Sequence, residues 1–524
     1  MTSSESVLRR RIGGPAAALA AGLAGVAIAT SARWGPDWPA QEFRAWSAAH
    51  NGLTAWTNQW YSGQALPGYS VIYPVVGGVL GAALTGLLAA VVAALGAFRL
   101  APAGSPRRRA GYHASVCLVL GADLLIGQVP YLLGVAAGVW AIALVRSDRR
   151  LAAACLAGLS SLGSPLAGAF VLLAIPVVAA GWGRRRAYPL AAALAGITVS
   201  SLLGGGGGPF PYTFLGLLWT LLFAGLCIVV PSRSMRALRR FGLVYAAVAI
   251  VVFLVPNPLG GNLVRLGQLV ALPLIWHTWP QVRGRLRRPV VAVALVVLAA
   301  VWSSWPALTS VGRGAGDPSQ ARPYYRGLLT YLRGQNPTTG RLEVVFTREH
   351  WEAMYVASAF PIARGWERQT DMSVNAVLYR PLTATGYRQW LDDNAVSMVA
   401  LPTAPIDFGG RAEQALLRDP PTYLRPAWHD ANWQVWRVRS PSPMVTGPAT
   451  LRNLGAASFE LDFTRAGTAT VRIRTNSMWS VTRGRGCVLA GPGHWLRIET
   501  SHPGRLLVSA RVGLAALDTD TRCS

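Results

Sequence analysis

The chain has 524 residues, of which 52% are hydrophobic and only 14% charged, with a formal charge of +27. That excludes an ordinary water-soluble protein of this size, in which charged residues make up about 25%. The positive charge does not point to nucleic acid either, because the basic residues are spread between apolar stretches rather than gathered on one face.

In chain order, apolar spans are predicted near 15–31, 71–98, 112–127, 129–146, 151–163, 165–182, 187–204, 213–230, 241–255, 262–280 and 289–307, about eleven helices. Arginines punctuate them: Arg9 to Arg11, Arg99 with Arg107 to Arg109, Arg146 with Arg149 and Arg150, Arg184 to Arg186, Arg233 with Arg236, Arg239 and Arg240, and Arg283 with Arg285, Arg287 and Arg288. These six groups hold 21 of the 49 basic residues, all of them Arg. Arg-rich loops resist translocation, so each group marks a cytoplasmic loop. The expected protein is a polytopic α-helical protein of the cytoplasmic membrane, with its N-terminus inside and its C-terminal part outside. Exclusive use of Arg, with abundant Ala and Gly, suits a GC-rich bacterial genome.

Several spans fall short of the ~20 residues that cross a bilayer. Those meeting at Gln128-Val129-Pro130 and Gly163-Ser164-Pro165 are expected to form hairpins. The first span could instead be a signal peptide ending near Thr30-Ser31-Ala32, but that site fits the small-x-small rule poorly, and retention is expected. Residues 1–307 are read as a transmembrane domain, with 32–70 as its large external loop. Residues 308–439 are read as an extracytoplasmic α/β region and 440–524 as a β-rich, sandwich-like region, joined at Ser440-Pro441-Ser442-Pro443. Strands are expected at Leu342–Phe346, Val396–Leu401, Ser458–Phe463, Ala469–Thr475 and Leu506–Val512, and helices at Glu349–Ala357 and Tyr387–Asp393. No internal repeat is evident, against a transporter of inverted halves.

Chemistry concentrates in four places. The loop carries Asp37, Trp38, Gln41, Glu42, Asn58, Trp60 and Tyr61; aromatic faces with interleaved amides and acids suit a sugar ring, or equally an interfacial aromatic belt. Asp123 lies inside an apolar span near Gln128, and intramembrane acids are functional candidates by default. Arg265, close to Asn262, breaks the inside-only pattern and could grip a lipid phosphate with its planar fork, or snorkel to headgroups. His350, Arg364, Glu367, Arg368 and Asp371 gather charge around aromatics, as a binding surface or as packing ion pairs. Cys487 and Cys523 are expected to pair if their compartment is oxidising. Gly204 to Gly208 lacks the ending of a phosphate loop, and no Cys/His spacing suggests zinc.

This layout of apolar spans, an acidic first external loop and a C-terminal external part resembles the GT-C class of integral-membrane glycosyltransferases. The resemblance implies polyprenyl-phosphate-linked sugar donors. It carries that class's loop acid to Asp37, with Glu42 as substitute, and its phosphate-binding Arg to Arg265. The pattern departs at Asp37, which has no acidic neighbour. The expected activity is sugar transfer from the lipid-linked donor to an envelope glycan or lipid acceptor, among membrane lipids. Asp123 could hold a divalent metal or orient the acceptor; no other cofactor is expected. The alternatives are a transporter or flippase that uses Asp123 and Arg265, or a non-catalytic scaffold for envelope assembly.

Overall fold

The computed structural model describes residues 35–178, 183, 185–204, 207–232, 235–286 and 288–510. The apolar span near 15–31, with Arg9 to Arg11, and Cys523 lie outside them, so neither the retained first span nor the Cys487–Cys523 bridge is tested.

The chain divides into two compact units. Among the described residues, the first takes 35–41, Tyr69–Val76 and Leu80–Gly312. The second takes Glu42–Gly68, Gly77–Val79 and 313–510. In order, the helices of the N-terminal half are α1 (Trp38–Asn51), α2 (Tyr73–Leu80), α3 (Ala82–Arg99), α4 (Pro106–Leu125), α5 (Val129–Arg146), α6 (Arg150–Gly163), α7 (Pro165–Val178), α8 (Ala187–Gly204), α9 (Phe214–Val229), α10 (Arg236–Leu254), α11 (Val264–His277), α12 (Trp279–Arg285) and α13 (Pro289–Gly314). Among the described residues five of these, α3, α5, α8, α10 and α13, are long and apolar enough to cross a membrane. The span expected over 71–98 is broken at Gly81, where φ is +77°. The one over 262–280 becomes a 3-10 turn, Gly260–Leu263, followed by α11 and α12.

Local chemistry explains the helix starts. Ser105 caps α4 by accepting from the Arg108 N–H, with Pro106 at a first-turn position where its missing N–H costs nothing. Thr213 caps α9 in the same way through the Gly216 N–H. Small residues let α5 and α6 approach closely. The Ser160 hydroxyl donates to the Gly134 carbonyl at 2.7 Å, and a Cβ added at Gly134 would lie 2.8 Å from the Ser160 backbone carbonyl oxygen. The Ser161 hydroxyl reaches across to the Ala193 carbonyl of α8 at 2.8 Å. Apolar solvent gives helices no hydrophobic reason to associate, so such contacts and hydrogen bonds do that work.

The second unit begins in a segment expected to be loop. It is ordered: α1 runs through it, and β1 (Trp56–Thr57) pairs antiparallel with β2 (Gln64–Ala65). Further on come α14 (Arg326–Arg333), β3 (Arg341–Val344), α15 (Glu352–Tyr355), α16 (Arg368–Val374), α17 (Ala384–Asp393), β4 (Val396–Pro402), α18 (Arg411–Leu416), β5 (Leu424–His429) and β6 (Trp433–Val438). The sheet order is β3-β4-β6-β5, with β3 parallel to β4 and the other pairs antiparallel. Tyr387, Trp390 and Leu391 of α17 pack over Val396, Val399 and Trp436, an α/β layer. Each such side chain contributes about 1.5–3 kcal/mol on burial. The helix expected at Glu349–Ala357 is reduced to the single turn α15, because His350 just before it takes a left-handed φ of +59°.

Eight strands follow: β7 (Val445–Thr446), β8 (Ala449–Leu454), β9 (Ser458–Phe463), β10 (Gly467–Arg474), β11 (Trp479–Arg483), β12 (Cys487–Ala490), β13 (Trp495–Thr500) and β14 (Gly504–Ala510). They form two antiparallel sheets, β12-β13-β10-β7 and β11-β14-β9-β8. Alternation in β9 and β10 turns Phe459, Leu461, Phe463, Ala469, Val471 and Ile473 into one core, and Trp56 from the N-terminal segment joins it. Trp56 meets Trp479 edge-on at 5.7 Å.

Candidate functional site

The helical unit gathers several of the expected residues at one place. Helix α4 ends at Leu125, and the chain turns through Gly127 at φ +83° into α5. A Cβ at Gly127 would lie 2.6 Å from the Trp38 backbone nitrogen, so only glycine admits this approach. The Trp38 indole N–H donates to the Leu125 carbonyl at 2.9 Å, which seats the turn carrying Asp37 on the end of α4. Asp37 itself is half-buried, and its carbonyl accepts from the Gln41 N–H at 3.3 Å. The Gln41 side chain donates to the Tyr69 hydroxyl at 3.3 Å, while its carbonyl accepts from the Tyr73 hydroxyl at 2.8 Å. Trp38 and Gln41 therefore brace the turn from within. Glu42, the next residue of α1, is half-buried.

Asp123 occupies the last turn of α4 and is half-buried; its carbonyl accepts from the Gln128 N–H at 3.1 Å. Arg265, in the first turn of α11, is also half-buried and within electrostatic reach of Asp123. The Arg265 guanidinium lies 5.9 Å from the centre of the Tyr131 ring. Tyr131 is buried at 4% exposure, packs edge-on against Phe170, and lies within reach of both charges. Its hydroxyl and the Gln128 side-chain oxygen make no hydrogen bond with any described residue. Asn262 sits half-buried in the 3-10 turn before α11; the Tyr245 hydroxyl holds that turn through the Leu263 carbonyl at 2.6 Å. The structure thus brings Asp123, Arg265 and Tyr131 together. Sequence reading missed Tyr131, since a tyrosine in an apolar span reads as core.

The charged residues of the second unit, read from sequence as a binding surface or as packing ion pairs, are hydrogen-bonded or ion-paired to one another and to their neighbours. Arg364, 1% exposed, forms a fork with Asp371 at 2.6 and 3.1 Å and bonds Glu413 at 2.8 Å and the Gly409 carbonyl at 3.1 Å. Asp371 also accepts from the Tyr379 hydroxyl at 2.5 Å and from Asn375 at 2.8 Å. Arg368 forks onto Asp407 at 2.9 and 3.0 Å. Glu367 accepts from Arg44, Gln64 and Thr370. His350 is fully buried, stacked on Trp366, with Glu352 at 3.5 Å and Asp407 at 3.7 Å from its two ring nitrogens. The aromatic loop residues are spent in the same way. Asn58 accepts from the Trp56 indole at 3.0 Å and donates to the Gly455 and Ser458 carbonyls. The Trp60 indole donates to the Ala353 carbonyl at 2.9 Å, and the Tyr61 hydroxyl accepts from the Glu367 N–H at 3.0 Å.

Burial and charge then set protonation. Burial pushes the Glu343 carboxyl up, Glu413 beside it pushes further, and Arg364 only partly offsets them. Glu349 is pushed up to about 7, mainly by burial. Burial would raise Asp407 too, but the nearby His350 charge and the hydrogen bonds and charge of Arg368 outweigh it and hold its carboxyl well below the usual range. His350 shows the mirror image: burial lowers it, while Asp407 and Glu352 lift it above its ordinary value. Among the described residues no group of three or more His, Cys, Asp or Glu side chains could hold a metal ion.

No protein-family model matches the chain, and no curated protein matches it. Among solved structures it is similar to ArnT from Cupriavidus metallidurans bound to undecaprenyl phosphate, at 13% identity and a TM-score of 0.37, covering 83% of this chain and 98% of that one. It is similar also to ArnT of the same organism in the apo state, at 13% identity and a TM-score of 0.36, covering 79% of this chain and 96% of that one. Superpositions this loose carry no argument about the chemistry of this chain.

Proposed function

We propose that the chain is a multi-pass glycosyltransferase that moves a sugar from a lipid-phosphate donor to an envelope glycan or lipid acceptor on the outer face of the cytoplasmic membrane. One observation supports this most: a guanidinium, a carboxylate and a phenol converge in the helical unit, at the end of the helix on which the Asp37 turn is seated. Charges are disfavoured inside apolar helices unless a polar ligand or partner uses them. In the proposed step the Asp37 carboxylate takes the proton of the acceptor hydroxyl as its oxygen attacks the anomeric carbon. The bond from that carbon to the phosphate oxygen breaks, and the electron pair leaves with the phosphate. Arg265 stabilises the charge gathering there. Asp123 orients the acceptor, and Glu42 is the reserve base.

The test compares envelope glycans and glycolipids by mass spectrometry in a deletion strain carrying wild type or Asp37→Asn at equal expression. Wild type should restore a missing sugar and Asp37→Asn should not. Restoration by both would reduce Asp37 to a structural turn residue. The placement of Asp123 and Arg265 between helices also suits a transport pathway. That reading requires dependence on an ion gradient and on Asp123, with no new glycosidic bond.

A further inference from the structure

We infer that Tyr131 is a direct ligand of the donor's phosphate, a proposal that rests on the glycosyltransferase reading above. The argument starts from an unmet hydrogen bond. A buried hydroxyl without a partner costs about 1–3 kcal/mol, so such groups are rare and usually mark an absent water, ion or ligand. Tyr131 is such a group, 4% exposed with its hydroxyl unmatched. Pure packing could have been met by phenylalanine, since the ring already sits edge-on to Phe170 at 6.2 Å and beside the Arg265 guanidinium at 5.9 Å.

The surroundings specify the missing partner. Arg265 offers only donors, and a phenol below its ordinary ionisation offers one more. The guanidinium lies over the Tyr131 ring, 5.9 Å from its centre, and two donors in one neighbourhood suit an oxyanion. Asp123, whose charge acts on Tyr131 without hydrogen-bonding its hydroxyl, offers only acceptors when ionised. It would repel the anion but accept from a hydroxyl. One class of molecule supplies both, a phosphate ester with hydroxyls close by, which describes a glycosyl phosphate. Its lipid tail would then lie along the apolar helices. In this arrangement Tyr131 transfers no proton. It donates a hydrogen bond to a non-bridging phosphate oxygen and shares with Arg265 the charge that develops as the sugar leaves.

The test measures binding of farnesyl phosphate to the full-length protein in nanodiscs by isothermal titration calorimetry, for wild type, Tyr131→Phe, Tyr131→Leu and Arg265→Gln. Each variant is first checked for an unshifted thermal melt. Tyr131→Phe keeps the ring and should bind roughly tenfold more weakly, the loss of one charge-assisted hydrogen bond. Tyr131→Leu should be weaker still, because it also removes the ring beside Arg265. Arg265→Gln should abolish measurable binding. If wild type binds and Arg265→Gln does not, but Tyr131→Phe binds like wild type, the inference is overturned and the donor reading stands. If wild type does not bind, or Arg265→Gln binds equally well, the donor reading itself fails and takes the inference with it. Should Tyr131→Phe lose its fold, Tyr131→His, which keeps a ring and a donor, must retain more affinity than Tyr131→Leu; equality of the two would equally overturn the proposal.

Discussion

At the scale of single residues, the opposed charges of the helical unit give the sharpest expectation. Asp123 and Arg265 sit within electrostatic reach, so a phosphate entering beside Arg265 meets a carboxylate of its own sign. Asp123→Asn removes that repulsion, and we expect farnesyl phosphate to bind several-fold more tightly while sugar transfer falls, since the oriented acceptor is lost. Calorimetry and product mass spectrometry on the same preparation check both halves; weaker binding would mean that Asp123 serves Arg265 rather than opposing the ligand. In the second unit, Glu349 carries a pH prediction. Its folded carboxyl titrates at about 7 against an ordinary 4.5, so the folded state holds its proton longer than the unfolded one. The stability it lends is complete below about pH 4.5 and is lost as pH rises through 7, a change of about 3 kcal/mol at 1.36 kcal/mol per pKa unit. Glu349→Gln should flatten the denaturation midpoint over that window, and an unchanged slope would assign the pH dependence elsewhere. Asp123 and Arg265 were legible as polar residues inside apolar spans. Arg341 and Glu343 were not: they alternate with Leu342 and Val344 as solvent-facing residues would, yet all four are buried in β3. Their partners Asn394 and Arg364 lie far along the chain, and spacing carries no sign of that.

At the scale of elements, small residues decide. The turn between α4 and α5 was readable from Gly127-Gln128-Val129-Pro130, because glycine followed by proline punctuates a helical pattern. That the Asp37 segment seats on it was not readable, since the contact joins residues far apart in sequence. Gly127→Ala combines a left-handed backbone with a 2.6 Å approach to the Trp38 nitrogen. It should therefore cost about 1–3 kcal/mol and displace the Asp37 turn, seen as faster hydrogen exchange at residues 36–41. Protection equal to wild type would show that the turn holds without it. On the neighbouring α5–α6 contact, Gly134→Val should destabilise by a similar amount through overpacking, read as a lower thermal midpoint. Helix α1 escaped sequence reading for another reason: Trp38 among interleaved amides and acids suited a loop facing a sugar ring or an interfacial belt, whereas Trp38 and the neighbouring Phe43 are fully buried.

At the scale of the whole molecule, the arginine rhythm, with five helices long and apolar enough to cross a membrane, leads to a testable orientation. In a cysteine-free background, Thr339→Cys should react with a membrane-impermeant maleimide on intact cells, and Ser147→Cys only after permeabilisation. The reverse pattern would invert the topology and remove the outer-face site. One feature of the second unit also governs how the protein can be made. Asn58 and Trp56 find their partners in the β-region, the Asn58 bond to Gly455 spanning 397 residues. At about 5–20 residues per second, the ribosome needs roughly 20–80 s to deliver that partner. Through that interval the early segment, already synthesised, waits with an indole and an amide unsheltered. A chain cut short before the β-region would leave them so permanently, a mark by which quality control could tell an unfinished molecule from a finished one.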